Sequence, residues 1–175
     1  MSSEKPTTST DPVIGLSHVD EAGAARMVNV GEKPIARRTA TATAVCRMAP
    51  QTALQIQQNT LKKGDVLSVA RLAAIQAAKR TDELIPLCHS LPLDGVEVDF
   101  QWLSNERLKI SVTVSVTART GVEMEAMVGA SIAGLTVYDM CKAVDRSMSL
   151  EEVSLESKSG GTRGDYRRGA STEQQ

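Results

Sequence analysis

The sequence predicts an α+β fold, and three observations carry that prediction. Several segments alternate apolar and polar residues, two stretches repeat apolar residues at helical spacing, and the two kinds interleave along the chain. Residues 38–48 alternate threonine with alanine or valine, the pattern of a strand with one buried face. Gly64-Asp65 then opens a helix over 66–80 on the spacing of Val66, Val69, Ala70, Ala73 and Ala77, with Asp65 as its N-cap. Thr81 and Pro86 bracket the end of that helix. Residues 96–102 and 108–116 alternate again, and Ser104-Asn105-Glu106 between them reads as the turn of a hairpin. A second helix is expected from Thr120 to about Arg146, with Thr120 and Glu123 forming a capping box. Residues 150–158 close the series with Val153 and Leu155 on one face of a strand. The order strand, helix, strand, strand, helix, strand specifies the ferredoxin-like βαββαβ arrangement, an antiparallel four-stranded sheet with two helices on one face.

At 175 residues, 41% of them hydrophobic, the chain can close one ordinary core. Residues 17–168 are read as a single catalytic domain. Residues 1–16, rich in Ser, Thr and Pro, are read as a flexible leader, and 169–175 as a flexible tail. A formal net charge of -1 argues against a broad attraction to nucleic acid or anionic membrane, so any anion site must be focused. Three cysteines without C-x-x-C spacing suit neither a disulfide framework nor a structural zinc site. No stretch is apolar for long enough to span a bilayer, and the start has no signal-peptide core. A cytoplasmic location is expected.

The second helix carries the strongest functional signal. Its middle, Met127 to Val137, is apolar or small on nearly every side, so it must be buried on most faces. Charges at its ends, Glu123 and Glu125 at the start and Asp139 and Lys142 at the finish, become site candidates because a buried charge is costly unless paired or used. Glu123 is better read as a cap, and Asp139 with Lys142 could be a plain i,i+3 ion pair. The neighbours Tyr138, Met140 and Cys141 favour a sheltered Asp139. Glu125 and Asp139 are fourteen positions apart, nearly on one face but about 21 Å apart along the axis, so they cannot touch one reacting atom. Either the ligand is as long as a nucleotide triphosphate or the site joins residues of different subunits, and the buried helix favours the second. Gly129, Ala133 and Gly134 are expected on the outward face, where another backbone could approach, so self-association follows.

His89 lies between Pro86 and Pro92 in an apolar segment, where a stiff imidazole suits proton transfer. A Cys88–His89 nucleophile is rejected, because adjacent residues of a strand point to opposite faces. Lys63 beside Gly64, before a helix N-terminus, and Lys158 beside Ser159-Gly160-Gly161 could meet phosphate, with Arg163 and Arg167-Arg168 beyond. Arg37-Arg38 could add a clamp. No G-x-x-x-x-G-K-[ST] loop occurs.

Taken together, Lys63-Gly64-Asp65-Val66, Ile75-Gln76-Ala77-Ala78-Lys79-Arg80-Thr81, Ile85-Pro86-Leu87-Cys88-His89, Thr120-Gly121-Val122-Glu123-Met124-Glu125-Ala126, Tyr138-Asp139-Met140-Cys141-Lys142-Ala143 and Lys158-Ser159-Gly160-Gly161 resemble the cyclic pyranopterin monophosphate synthase family of molybdenum cofactor biosynthesis (MoaC). The likeness runs in order from about Leu16 to Arg168. It implies a small-molecule substrate, cyclised dihydro-GTP, converted to cyclic pyranopterin monophosphate with release of pyrophosphate. It also implies a homohexamer built as a trimer of dimers, with sites at subunit interfaces and no nucleic-acid or membrane partner. By matching motif, Asp139, Lys63 and Lys142 take catalytic positions. Leu87, Cys88, His89, Met124, Glu125, Lys158, Arg38 and Glu123 take substrate-binding ones. No metal site and no redox cofactor are implied, and magnesium alongside the triphosphate stays open. Ser90 stands where the family usually has a proline, Asn29 where Met-Val-Asp-Val is usual, and Thr162-Arg163 where Lys-Ser is usual.

Two other classes compete. An RNA recognition module shares this order of elements, but with 2% aromatic residues only Phe100 and Trp102 fall on the middle strands, on the parity of the buried valines. In a silent oligomeric scaffold the charges would only fix register.

Overall fold

The computed structural model describes residues 23–162 and 164–169, so the expected leader 1–16, Arg163 and residues 170–175 of the expected tail lie outside the described residues. The chain is α+β with one antiparallel sheet, as the alternating segments require. The described residues form five strands and four helices, which corrects the four-strand, two-helix ferredoxin-like layout. In chain order these are β1 (Ala36–Arg47), α1 (Pro50–Gln57), α2 (Val66–Ala78), α3 (Thr81–Leu84), β2 (Gly95–Trp102), β3 (Arg107–Ala118), α4 (Glu123–Cys141), β4 (Ser149–Ser159) and β5 (Tyr166–Arg167). The sheet order is β2-β3-β1-β4-β5.

Alternation sets the sheet's two faces. Leu108, Ile110, Val112, Val114 and Val116 of β3 and Ala42 and Ala44 of β1 are fully buried under the helices. Full burial of each large aliphatic side chain contributes about 1.5–3 kcal/mol. On the opposite face the β1 threonines find polar partners: Thr41 meets the Thr113 hydroxyl at 2.9 Å, and Thr43 donates to the Glu156 carboxylate at 2.9 Å. The hairpin has Val96 opposite Val114 and Val98 opposite Val112, and Phe100 and Trp102 pack toward the core instead of forming an exposed stacking platform.

Helix α4 lies across β1, β3 and β4 and against α2, which reaches the β2 edge. The small residues of α4 face inward, not outward as expected. A Cβ at Gly129 would sit 3.1 Å from Val112 Cγ1 and 3.3 Å from the Ala74 carbonyl, one at Gly134 would run into Leu150, and Ala133 is fully buried. They let α4 approach its own sheet and α2. The outward face carries Leu135 and Tyr138, which are exposed.

Three local features differ from expectation for identifiable reasons. Helix α4 ends at Cys141, short of Arg146, and its N-cap is Val122 without a side-chain cap, so Thr120 and Glu123 form no capping box. Asp65 does cap α2, accepting from the Ser68 amide at 2.9 Å. Helix α1, not expected from the sequence, begins with Pro50 at its first turn and buries Thr52, Ala53 and Ile56. Its cap comes from far along the chain: buried Asp145 accepts from the Ala49 amide at 2.8 Å and from the Thr52 hydroxyl at 3.3 Å. Ser147 adds its amide at 3.0 Å and its hydroxyl at 2.7 Å.

These bonds, led by the one from Ala49, hold the Asp145 carboxyl below its ordinary value of 3.8, against the opposing effect of burial. A lowered carboxylate stabilises the fold above its unfolded-state value, and that contribution is lost as pH falls through the folded one. Asp145→Ala should cost about 1–2 kcal/mol in urea unfolding at neutral pH. The gap from wild type should shrink as the pH is taken below 3.8.

Candidate active site

The charged residues singled out in the sequence separate into two groups at opposite ends of α4. At its N-terminal end is an open cleft of about 290 Å³. Its walls are the end of β3, the first turn of α4, the chain after α3, the start of β1 and the Lys158-Ser159 end of β4. Arg38, Leu87, Cys88, His89, Glu123, Met124, Glu125 and Lys158 all line it, so eight sequence-derived candidates converge. Lys33 and Arg119 line it too and were not identified from the sequence. The available signal for Arg119 was its place between strand alternation and Thr120-Gly121, where a strand end meets a helix start.

Each cleft side chain is held by a specific contact. Arg38, buried in β1, donates from Nε to the Ala118 carbonyl at 2.9 Å. Lys158 Nζ meets Glu123 Oε1 at 2.9 Å, tying β4 to the first turn of α4; Glu123 is therefore an ion-pair partner and not a cap. Gly121 leaves room for the Glu123 carboxylate to fold back, since a Cβ there would collide with it. Gly160 has φ +82°, and a Cβ would strike the Arg37 carbonyl. Its requirement is thus close backbone approach between β4 and β1. His89 Nε2 lies 2.9 Å from the Val28 carbonyl. A carbonyl only accepts, so Nε2 carries the hydrogen and Nδ1 is left to exchange a proton with a ligand.

Glu125 is buried, and its carboxyl is pushed up to about 7. Desolvation is the main cause, with Glu123 and then Asp82 adding repulsion, while a backbone hydrogen bond opposes them. Its place in the first turn would favour the ionised form, but burial prevails. Cys88 shares the cleft with His89, and no strand separates their faces, which corrects the reason for rejecting that pair. The thiol is pushed up by burial and by Glu125 and Asp82, the opposite of an activated nucleophile.

The second group is outside the cleft, at the C-terminal end of α4. Lys142 Nζ meets Asp139 Oδ1 at 2.6 Å, and Lys63 Nζ reaches Asp139 Oδ2 at 3.4 Å and the Asp139 carbonyl at 2.7 Å. Lys142 and then Lys63 hold the Asp139 carboxyl below its usual range, and Asp139 raises Lys142. Asp139 is 58% exposed in the single chain, not sheltered as expected. Lys63 is thus drawn to the end of α4, and Asp65 caps the N-terminus of α2 that follows it.

Among the described residues no group of three or more His, Cys, Asp or Glu is arranged to hold a metal ion, and no helix is long and apolar enough to cross a membrane.

Comparison with known proteins gives a consistent result. The MoaC family model matches residues 27–161. The chain is 52% identical over 161 residues to cyclic pyranopterin monophosphate synthase 1 of Mycobacterium tuberculosis, covering 92% of this chain and 95% of that one. Synthase 3 of the same organism is 52% identical over 153 residues, 87% of this chain and 86% of its own length. The cyclic pyranopterin monophosphate synthase of Brevibacillus brevis is 48% identical over 154 residues, 88% and 96% of the two chains.

A raised carboxyl makes wild type lose stability as pH climbs from the unfolded-state value of 4.5 to the folded value of about 7. Glu125→Gln removes that loss, so the variant should gain on wild type across this interval, by on the order of 3 kcal/mol. Denaturant unfolding at several pH values measures it; a pH-independent difference would mean that Glu125 is ordinarily solvated.

Proposed function

The chain belongs to the MoaC family, and from that premise we propose that it converts (8S)-3′,8-cyclo-7,8-dihydroguanosine 5′-triphosphate to cyclic pyranopterin monophosphate and pyrophosphate. This is a step of molybdenum cofactor biosynthesis, and a lyase reaction. The observation that carries the reading is the division of charge along α4: a cleft with cations, two carboxyls and an imidazole at one end, and a Lys-Asp-Lys group at the other.

Chemistry on a purine that also bears three phosphates needs both kinds of group. Opening the imidazole part of the purine and closing the pyran and pterin rings are proton transfers. Glu125, titrating at about 7, can exchange a proton near neutral pH, and His89 presents Nδ1 beside it in the cleft. Asp139, Lys63 and Lys142, paired with one another in the single chain, are the proton-transfer candidates at the other end of α4. The phosphate nearest the sugar is then attacked by a hydroxyl as pyrophosphate leaves. Arg38 and Lys158, with Lys33 and Arg119 beside them, offset the charge that grows on the phosphate oxygens. Electrons are conserved throughout, so the stoichiometry requires no redox cofactor. Magnesium, if it takes part, arrives on the triphosphate.

The two groups are about 21 Å apart along α4, so one chain does not bring them to one purine. The cleft is also at the lower edge of the ~300–1,000 Å³ range of ligand pockets. Both features fit a site completed by the Lys63, Asp139 and Lys142 of a second copy, in a homohexamer arranged as a trimer of dimers. Exposed Leu135 and Tyr138 on α4 give such a contact apolar area.

Incubation with the cyclised dihydro-GTP should yield pyrophosphate and the cyclic pterin in equal amounts. Lys63→Ala and Asp139→Asn should remain folded, since both side chains are exposed, and lower turnover on the order of 10²–10⁴-fold. Full turnover in either would remove that residue from the chemistry.

A further inference from the structure

The chain between α3 and β2 brings Leu87, Cys88 and His89 to the cleft without belonging to any helix or strand. No ladder of backbone hydrogen bonds fixes it, so the direction of the His89 ring depends on individual ties. One is the bond from His89 Nε2 to the Val28 carbonyl. On one side of it the Cys88 amide donates to the Ile85 carbonyl at 3.0 Å, and on the other the Ser90 hydroxyl donates to Oδ2 of Asp82.

Asp82 is itself firmly placed. It follows Thr81, which is 1% exposed and bonds back to the Ala77 and Ala78 carbonyls at 3.3 and 3.1 Å, locking α3 onto the end of α2. Helix α2 in turn packs along α4. A continuous path therefore runs from the core through Thr81, Asp82 and Ser90 to His89. A hydroxyl donating to a carboxylate makes a stronger bond than one between neutral partners. The Asp82 charge also reaches Cys88 and Glu125, which places it against the cleft.

Resting on the reading of the cleft as the active site, we propose that Ser90 and Asp82 are positioning residues, whose hydrogen bond holds the His89 imidazole in the orientation that proton transfer requires. The pair acts through His89 and does not touch the substrate. Ser90 is exposed, so removing its hydroxyl opens no void in the core and leaves the fold intact.

The experiment combines kinetics with NMR of the imidazole. The chain has two histidines, so a His18→Gln background isolates the His89 signal. In that background Ser90→Ala should lower kcat about tenfold with a smaller change in KM, and should shift and broaden the His89 ring resonance. Ser90→Thr, which keeps the hydroxyl, should restore both. Asp82→Ala should shift and broaden the ring resonance as Ser90→Ala does, and the double variant's ring should be no more disordered than either single one's; its kcat also carries the loss of the Asp82 charge near Glu125, so the resonance decides. A Ser90→Ala protein with wild-type kcat and an unchanged ring resonance would overturn the proposal, as would ring disorder that adds strictly in the double variant. The resonance is read without substrate. If wild type makes no pterin yet its imidazole loses order in Ser90→Ala and regains it in Ser90→Thr, the reaction assignment falls while the tether stands.

Discussion

The close approach of α4 to its own sheet and to α2 is the constraint on which the rest depends. Gly129, Ala133 and Gly134 leave no side-chain bulk between the helix and Val112, the Ala74 carbonyl, Cys46 and Leu150. Packed this tightly, a helix has one position and one rotation, and whatever stands on its two ends is placed as by a rigid rod. At one end the rod presents Glu123, Met124 and Glu125 to the cleft; at the other it presents Asp139 and Lys142 to Lys63. The geometry of function thus follows from small residues that take no part in chemistry.

Burial then differentiates groups that look alike in the sequence. Glu123 and Glu125 are two residues apart on the first turn of one helix. Glu123 pairs with Lys158, whereas Glu125 is desolvated and titrates at about 7. Asp139, in contact with two ammonium groups, is pulled the other way. One helix therefore supplies a carboxyl that holds its proton near neutrality and a carboxylate that does not, the separation of acid and base roles that proton shuttling needs.

Much of this was legible in the residues. The long strands and the helices α2 and α4 announce themselves by period, and the Asp65 cap by its position before an apolar helix. Residues from distant motifs line one cleft, while Lys63, Asp139 and Lys142 meet at the other end of α4. What stayed hidden was decided by tertiary contact. Helix α1 is capped by Asp145, far along the chain, and the two-residue β5 exists only as a partner of β4. Thr120 and Glu123 fit a capping box by spacing, yet Glu123 is drawn to Lys158 on another strand. Composition shows that backbones can meet at the small residues of α4 but not which backbone; the helix uses them against its own sheet and α2. Lys33 and Arg119 carry no motif, and only the fold brings them to the cleft.

The central claim is that the cleft of one chain works with the Lys63-Asp139-Lys142 group of another. Mixing two inactive variants tests it most directly: Lys158→Ala, which damages the cleft, and Asp139→Asn, which damages the far end of α4. Co-assembled in equal amounts, random pairing leaves one intact composite site in each mixed dimer, so roughly a quarter of wild-type turnover should return. Mixed oligomers that form and stay inactive would contradict the account, because they would show that each chain needs both groups of its own.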